Sequence, residues 1–149
     1  MKTKSLILIL VLFPVVLAGQ IHYRPLVDST APCLPYDHFY VVEEMPCPIL
    51  QLNIIENLLD ENVRFSKKER KIQDVIYIQC MVNCHGDPGD YQLSNRPKAL
   101  TDIGNQIIQV LRNENIRWKP GKQRGQSVDV FMLYQIEVSN GKFNIVALK

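Results

Sequence analysis

The sequence predicts an α+β fold in which an antiparallel sheet of three to four strands packs against two helices. Residues 128–138 alternate apolar and polar side chains with period two, which is typical of a strand with one buried face. Residues 49–62 and 99–112 instead repeat apolar side chains every three or four positions, as amphipathic helices do. Shorter strands between and after them complete an order that favours helices packed on one antiparallel sheet.

The long strand is the clearest element. Its predicted core face consists of the even-numbered residues Val128, Val130, Met132, Tyr134, Ile136 and Val138. Asp129, Gln135 and Glu137 alternate with them, so the opposite face is predicted to be mixed. The preceding loop combines turn residues with positive charge: Lys119, Pro120, Gly121, Lys122, Arg124 and Gly125. Trp118 is expected to close one end of the core, its indole N–H donating to a backbone carbonyl.

The first 18 residues have the composition of a secretory signal peptide. Lys2 and Lys4 form a basic start, residues 6–17 are almost wholly apolar, and small residues place the cleavage between Ala18 and Gly19. The uncharged run is shorter than the roughly 20 residues that a membrane span needs. We therefore predict a periplasmic or exported protein; the alternative is a retained inner-membrane anchor facing the periplasm.

The next segments lead into a domain predicted over residues 40–149. Residues 19–39 contain several prolines and no periodicity, which predicts an extended lead-in. Aromatic and β-branched residues at 36–44 predict a short strand. The first helix is expected to bury the residues that keep helical spacing, namely Leu50, Ile54, Ile55, Leu58 and Leu59. Phe65 is the expected anchor of the charged connection after it.

The second half of the domain begins with a strand predicted at 74–82. Its two faces are Ile76, Ile78, Cys80 and Val82 on one side and Val75, Tyr77, Gln79 and Met81 on the other. A turn at 83–90 and a short returning strand at 91–95 follow. The second helix is expected to start at a cap provided by Thr101 or Asp102. Its predicted buried stripe consists of Leu100, Ile103, Ile107, Val110 and Leu111. A hairpin turn at 139–142, containing Asn-Gly, then adds a last strand at 143–148.

The charge balance argues against one class of partner. Of the 17 basic residues in the chain, two belong to the signal, so 15 basic and 15 acidic residues remain. A neutral chain gives no support for nucleic-acid binding. Residues 28–61 carry only acidic charges, whereas 64–71 and 117–124 are mainly basic. We favour separate solvated faces, with contact between the regions or steering of a partner as alternatives.

Four cysteines, Cys33, Cys47, Cys80 and Cys84, predict disulfide bonding in an exported chain. Three pairings are possible. On an extended strand Cys80 and Cys84 would lie about 13 Å apart. That exceeds the roughly 7 Å between α-carbons that a disulfide allows, unless the chain turns sharply between them. Cys33 and Cys47 flank a proline-rich stretch and are better placed to close a loop, and Cys80 is interpreted as a buried thiol.

No set of residues meets the requirements of a catalytic site, so we predict that the chain is not an enzyme and uses no cofactor. Cys80, Cys84 and His85 have one residue too many between the cysteines for haem attachment. His85, Asp87 and Asp90 share a loop that would suit a cation. The glycines and proline of that loop explain it as a turn, however, and no metal is predicted.

Several blocks of sequence carry a resemblance to a known family. Residues 41–46 are V-V-E-E-M-P, residues 72–79 are I-Q-D-V-I-Y-I-Q, and residues 118–123 are W-K-P-G-K-Q, continued by the long strand. In this order they resemble the C-terminal domain of TonB, in the version common in Bacteroidetes-type bacteria. The most characteristic positions are Met45, Pro46, Trp118, Pro120, Gly121 and Gly125. The chain lacks the proline-rich spacer of a full TonB and adds a C-terminal hairpin.

The resemblance implies a stand-alone periplasmic module that binds an extended segment of an outer-membrane transporter, or of another envelope protein, by strand addition. The receiving edge would belong to the long strand or to the added strand at 143–148. The candidate partner-binding residues are Lys122, Arg124, Val128, Val130, Met132 and Tyr134. A hairpin that covers this edge would weaken the transporter interpretation. The alternative is a disulfide-stabilised exported structural or interaction protein without a transporter link.

Overall fold

The computed structural model describes residues 31, 33, 38–39, 42–94 and 99–147. The elements in chain order are β1 (His38–Phe39), β2 (Cys47–Pro48), α1 (Leu52–Asn62), a 3₁₀ helix (Glu69–Lys71), β3 (Gln73–Val82), β4 (Pro88–Leu93), α2 (Thr101–Asn113), β5 (Trp118–Lys119), β6 (Gly121–Gln123), β7 (Gln126–Ser139) and β8 (Lys142–Ala147). The predicted signal peptide, with its cleavage at Ala18 and Gly19, lies outside the described residues. Within them, no helix combines the length and apolar character that a membrane crossing requires.

Strand β7 organises the main sheet. One of its edges pairs with β3, and β3 pairs in turn with β4. Strands β1, β6 and β8 also pair with β7. All of these pairings are antiparallel except that of β1. The predicted α+β architecture, two helices and a mostly antiparallel sheet, is confirmed. The sheet has more than the predicted three to four strands, because β1 and β6 are too short to leave a periodic pattern.

The core lies between the sheet and the helices. The predicted core face of β7 is buried except for Val128, which is half-buried. In β3 the buried face is the even-numbered one. The buried residues of these two faces are Ile76, Ile78, Cys80, Val82, Val130, Met132, Tyr134, Ile136 and Val138. Helix α2 adds Ile103, Ile107, Ile108, Val110 and Leu111. Burial of apolar surface contributes about 25 cal/mol per Å², so this face is the main source of stability.

Both helices begin later than the sequence pattern predicts. Helix α1 starts at Leu52, and of its predicted stripe only Ile55 and Leu59 are buried. Leu50 and Ile54 are exposed. The stripe is narrow because α1 packs against the edge strand β8 rather than against the centre of the sheet.

The start of α2 is fixed by packing rather than by a polar cap. Its N-cap residue is Leu100, which makes no side-chain hydrogen bond at the cap and is fully buried. The prediction that Thr101 or Asp102 caps the helix is therefore wrong. An apolar residue at the N-cap cannot make the capping side-chain hydrogen bond, which is worth about 1 kcal/mol. Its burial in the core offsets that loss.

The predicted C-terminal hairpin is confirmed. Asn140 and Gly141 both have positive φ, at 52° and 71°. This is the backbone that a two-residue hairpin turn needs. Strand β8 then pairs with β7 from Ser139 back to Tyr134.

Helix α1 covers the outer edge of β8. The backbone N–H of Ile145 donates to Oε1 of Glu56 at 2.8 Å, and that of Phe143 donates to Oδ1 of Asp60 at 3.4 Å. Asp60 also forms an ion pair with Nζ of Lys142 at 2.7 Å. Because these carboxylates occupy donors that an incoming strand would need, the predicted alternative of a receiving edge on residues 143–148 is disfavoured.

We expect Glu56→Ala to destabilise the protein by about 1–3 kcal/mol, because it removes the acceptor of the partly buried Ile145 N–H. The matched control is Glu61→Ala, which changes an exposed carboxylate on the same helix. Urea denaturation followed by circular dichroism measures both. Equal urea midpoints for the two variants would show that the hydrogen bond from Ile145 to Glu56 contributes nothing to stability.

Candidate functional site

The second edge of β7 is shared by two short partners. Strand β3 occupies the first edge from Val130 to Ser139. On the other side, β1 pairs with Asp129 and Val130, and β8 pairs with residues 134–139. Among the pairings between described residues, those of β1 end at Val130 and those of β8 begin at Tyr134, which defines an interval at residues 131–133 of β7.

A groove opens at this interval. Its volume is about 440 Å³, within the range of protein ligand sites. One wall is formed by Met132, Leu133 and Tyr134, and the rest by Trp118 and the segment before α1. The lining residues are Met45, Pro46, Cys47, Pro48, Leu50, Gln51, Leu52, Trp118, Met132, Leu133 and Tyr134. Gln51 is the one residue with a polar amide side chain among them, so the groove favours apolar ligands.

The wall opposite β7 is held by the small ladder of β2 and β5. Cys47 pairs with Lys119 and Pro48 with Trp118. The backbone N–H of Ile49 extends the ladder by donating to the carbonyl of Arg117 at 2.9 Å. Pairing on β5 keeps the chain extended despite its prolines. The apolar side chains that follow are thus held at the mouth of the groove.

Gly121 allows the segment at Glu44–Pro46 to approach β7. A Cβ at this position would lie 2.6 Å from Cγ2 of Val130 and 3.1 Å from Cδ of Pro46. Only glycine fits without displacing one of these neighbours. This gives a packing reason for the glycine of the W-K-P-G block.

The acidic and basic regions meet at the same place. Glu44 and Lys122 form a backbone bridge and an ion pair at 2.9 Å. A carboxylate oxygen of Glu43 accepts a hydrogen bond from the backbone N–H of Arg124 at 2.8 Å. Of the two alternatives to separate solvated faces, contact between the regions is therefore observed here. Both side chains of the ion pair are exposed, so its contribution to stability is small.

Two aromatic side chains form the inner end of the groove. Trp118 and Tyr134 are both buried, with ring centroids 5.4 Å apart in an edge-on arrangement. Burial raises the pKa of Tyr134 well above its usual value, with smaller effects from Cys80, Tyr91 and Cys47. The hydroxyl is therefore protonated at neutral pH.

The indole N–H of Trp118 has no acceptor among the described residues. The prediction that Trp118 closes the core is confirmed by its burial, but the prediction that its N–H meets a backbone carbonyl is wrong. A buried donor without an acceptor costs about 1–3 kcal/mol.

The disulfide joins Cys33 to Cys84, with α-carbons 6.0 Å apart. The favoured pairing of Cys33 with Cys47 is wrong, because the β2–β5 ladder holds Cys47 at the groove. Cys47 is a free exposed thiol and Cys80 a free buried one, as predicted for Cys80. Burial raises the pKa of Cys80 well above its usual value, so it stays a neutral thiol. The disulfide is compatible with an oxidising, exported compartment.

A buried carboxylate supports this disulfide. Asp129 accepts hydrogen bonds from the backbone N–H of Cys33 through Oδ2 and of Cys84 through Oδ1, both at 2.8 Å. Asn83 adds a second link, because its side chain accepts from the turn after β3 and donates to the carbonyl of Ala31 at 3.3 Å. These hydrogen bonds of Asp129 and Asn83 form a junction that attaches the lead-in to β7, next to β1 and at one end of the groove.

No metal site emerges from the described residues. Sγ of Cys33, Sγ of Cys84 and a His85 nitrogen come within 4.8 Å of one another. The two sulfurs are bonded to each other and cannot act as thiolate ligands. In the predicted cation loop, Asp87 forms an ion pair with Arg117 instead.

Only some of the predicted partner-binding residues line the groove. Met132 and Tyr134 line the groove. Val130 is fully buried, whereas Val128 is half-buried and lies outside the groove lining. Lys122 is paired with Glu44, and Arg124 lies in the turn before β7. The sequence pattern missed Leu133 and residues 47–52. The available signal was the pair of prolines at Pro46 and Pro48, which argues against extending the helix pattern back through the apolar residues that follow them.

Comparison of the chain with models of known protein families, with curated proteins and with solved structures found no match.

We expect Asp129→Ala to destabilise the oxidised protein by roughly 2–5 kcal/mol, because two partly buried N–H groups lose their acceptor. Asp102→Ala, an exposed carboxylate on α2, is the control and should change stability by less than about 0.5 kcal/mol. Urea denaturation without reductant measures both variants. An Asp129→Ala protein as stable as the control would show that the junction does not depend on this carboxylate.

Proposed function

We propose that the protein is a periplasmic binding module that receives an extended segment of an envelope protein beside β7, and that it is not an enzyme. The observation that carries this is the apolar groove of about 440 Å³ at the interval between β1 and β8. Sheet edges and adjoining apolar pockets are how proteins recognise extended peptides: the backbone supplies hydrogen bonds and the pockets select alternate side chains.

Side chains are expected to contribute more to the binding free energy than backbone hydrogen bonds do. A backbone ladder confined to residues 131–133 would contain only a few hydrogen bonds, each worth about 0.5–1.5 kcal/mol net. Full burial of one large aliphatic side chain contributes about 1.5–3 kcal/mol. Association itself costs several kcal/mol. We therefore expect a partner whose alternate residues are apolar, because the ladder alone does not hold it.

The resemblance to the TonB C-terminal domain agrees with this role. Its V-E-E-M-P and W-K-P-G-K-Q blocks lie on opposite sides of the same contact, where Pro46 packs against the site of Gly121. Its strand blocks correspond to β3 and β7, which pair along ten residues. An outer-membrane transporter segment is accordingly the first partner to test.

A second candidate is favoured by the C-terminal hairpin. Strand β8 occupies the β7 edge from Tyr134 to Ser139, and α1 in turn covers β8. Together with the Cys33–Cys84 disulfide, this arrangement suits an exported structural or interaction protein without a transporter link. The two candidates differ in the segment that the groove accepts.

Synthetic peptides covering the periplasmic segment of an outer-membrane transporter from the same genome test the first candidate. Trp118 is the only tryptophan in the chain and lines the groove, so its fluorescence reports occupancy. We expect a saturable shift in emission. N-methylation of alternate peptide bonds should abolish it, because the methylated backbone cannot donate to β7.

Leu133→Lys places a charge at the groove and should weaken binding by about tenfold or more, equal to about 1.4 kcal/mol. Gln126→Lys, on the same strand but outside the groove lining, is the control and should bind as the wild type does. If the Leu133→Lys variant binds the peptide with wild-type affinity, the groove is not the binding site. Absence of any shift with transporter peptides would leave the second candidate.

A further inference from the structure

Three side chains of types that bind Zn²⁺ meet at the junction that attaches the lead-in to β7. Sγ of Cys33, Sγ of Cys84 and a His85 nitrogen all lie within 4.8 Å of one another. Cys33 comes from the lead-in and the other two from the turn after β3, so the fold brings them together across 51 positions. Two thiolates and an imidazole are a known donor set for zinc. In the disulfide form the S–S bond withholds both sulfurs from a metal.

The two cysteines are held in place by more than their S–S bond. Asp129 accepts the backbone N–H of Cys33 through one carboxylate oxygen and that of Cys84 through the other, both at 2.8 Å. Asp129 is 1% exposed, and a low local dielectric strengthens hydrogen bonds of this kind. Neither hydrogen bond involves a sulfur atom. The backbones that carry the two sulfurs therefore stay side by side when the S–S bond opens.

The turn that follows β3 is also fixed independently of the disulfide. The side-chain oxygen of Asn83 accepts the backbone N–H groups of His85 and Asp87, both at 2.9 Å. The backbone N–H of Trp118 donates to the carbonyl of Gly86 at 3.0 Å. Gly86 has positive φ, and a Cβ there would collide with the carbonyl oxygen of Trp118. These contacts fix the backbone at His85 in both redox forms.

The cluster of Cys33, Cys84 and His85 is accessible from solvent. His85 is exposed, and the two cysteines are half-buried. A reductant can therefore reach the disulfide, and an ion can reach all three donors. Because the protein supplies three ligands, the fourth position of a tetrahedral zinc ion is left to water or to an outside ligand.

The spacing suits a zinc ion once the sulfurs are no longer bonded to each other. Zn²⁺ binds sulfur at about 2.3 Å and nitrogen at about 2.0–2.1 Å, so two ligand atoms of a tetrahedral site lie roughly 3.5–3.8 Å apart. Sulfurs released from an S–S bond separate to non-bonded contact, which is close to this spacing. The α-carbons of Cys33 and Cys84 are 6.0 Å apart, so side-chain rotation reaches it without backbone movement.

We infer that Cys33 and Cys84, when reduced, bind Zn²⁺ together with His85, so that the junction has a disulfide form and a metal-bound form. A dithiol reductant supplies the two electrons and two protons that convert the disulfide into two thiols, and it leaves as its own disulfide. Zn²⁺ then displaces one proton from each thiol and accepts a lone pair from the neutral imidazole. The hydrogen bonds of Asp129 and Asn83 hold the ligands ready for the ion.

Zinc binding by the full mature chain tests the inference. A phosphine opens the disulfide, because a dithiol would itself compete for the ion. Native mass spectrometry counts the bound ions. We expect one Zn²⁺ per reduced chain, with the loss of two protons, and none on the oxidised chain. Co²⁺ in place of Zn²⁺ should give thiolate-to-metal charge-transfer absorption. A reduced chain that binds neither ion would overturn the inference.

His85→Ala and Cys47→Ser separate the cluster from other thiols. Loss of a residue that only supports a metal ligand costs about 10–100-fold in affinity, so His85→Ala, which removes a ligand, should weaken zinc binding at least about tenfold. His85→Cys should restore it, because a thiolate can replace imidazole. Cys47→Ser removes an exposed free thiol outside the cluster and should bind as the wild type does. Wild-type affinity in His85→Ala, or lost affinity in Cys47→Ser, would contradict the assignment.

Urea denaturation of the reduced chain, followed by circular dichroism, shows whether the ion binds the folded protein. If the reduced chain stays folded, Zn²⁺ should raise its urea midpoint, and His85→Ala should lose most of that increase. If it unfolds, Zn²⁺ should restore the native spectrum. An ordinary structural disulfide beside an exposed histidine predicts neither effect. The absence of both, or an equal effect in His85→Ala, would leave that interpretation and overturn ours.

Discussion

The two edges of β7 are the constraint on which the rest of the structure depends. Backbone N–H and C=O groups inside a fold must be paired, and a strand of 14 residues presents many of them on both sides. Strand β3 pairs with one side along ten residues. The other side is assembled from short pieces, β1 at one end and β8 at the other. The groove opens where these pieces stop.

The strand pairings at the two ends of the interval are fixed by different interactions. Upstream, Asp129 holds the backbone at Cys33 and Cys84 and so positions the lead-in that becomes β1. A buried carboxylate is tolerated only when several donors satisfy it, and the backbone N–H groups of the disulfide-bonded cysteines are among those of Asp129. Downstream, the positive φ angles at Asn140 and Gly141 set the hairpin and the register of β8. Neither end depends on the groove residues themselves.

The sequence predicted the elements that repeat and missed those that depend on distant partners. The alternation identified the core face of β7 and separated the two faces of β3, and Asn140-Gly141 identified the hairpin, because each is a local pattern. The Cys33–Cys84 pairing depends on Asp129, more than 40 positions away from either cysteine, and Asp129 lies on a face that alternation marks only as mixed. The groove combines residues 45–52 with β7, and no periodicity relates the two segments.

Helix α1 protects the outer edge of β8 from strand addition. Glu56 and Asp60 lie four residues apart on α1, hence on one helix face, and they meet alternate N–H groups of β8 at Ile145 and Phe143. At the opposite edge of the sheet, β4 is short, begins with Pro88 and has a register shift between Gly89 and Gln92, features that resist strand addition. An arriving strand thus meets obstacles along both long edges. Under the proposed function, the β7 interval is too short to hold a strand by its backbone alone, so the apolar groove would select the bound segment.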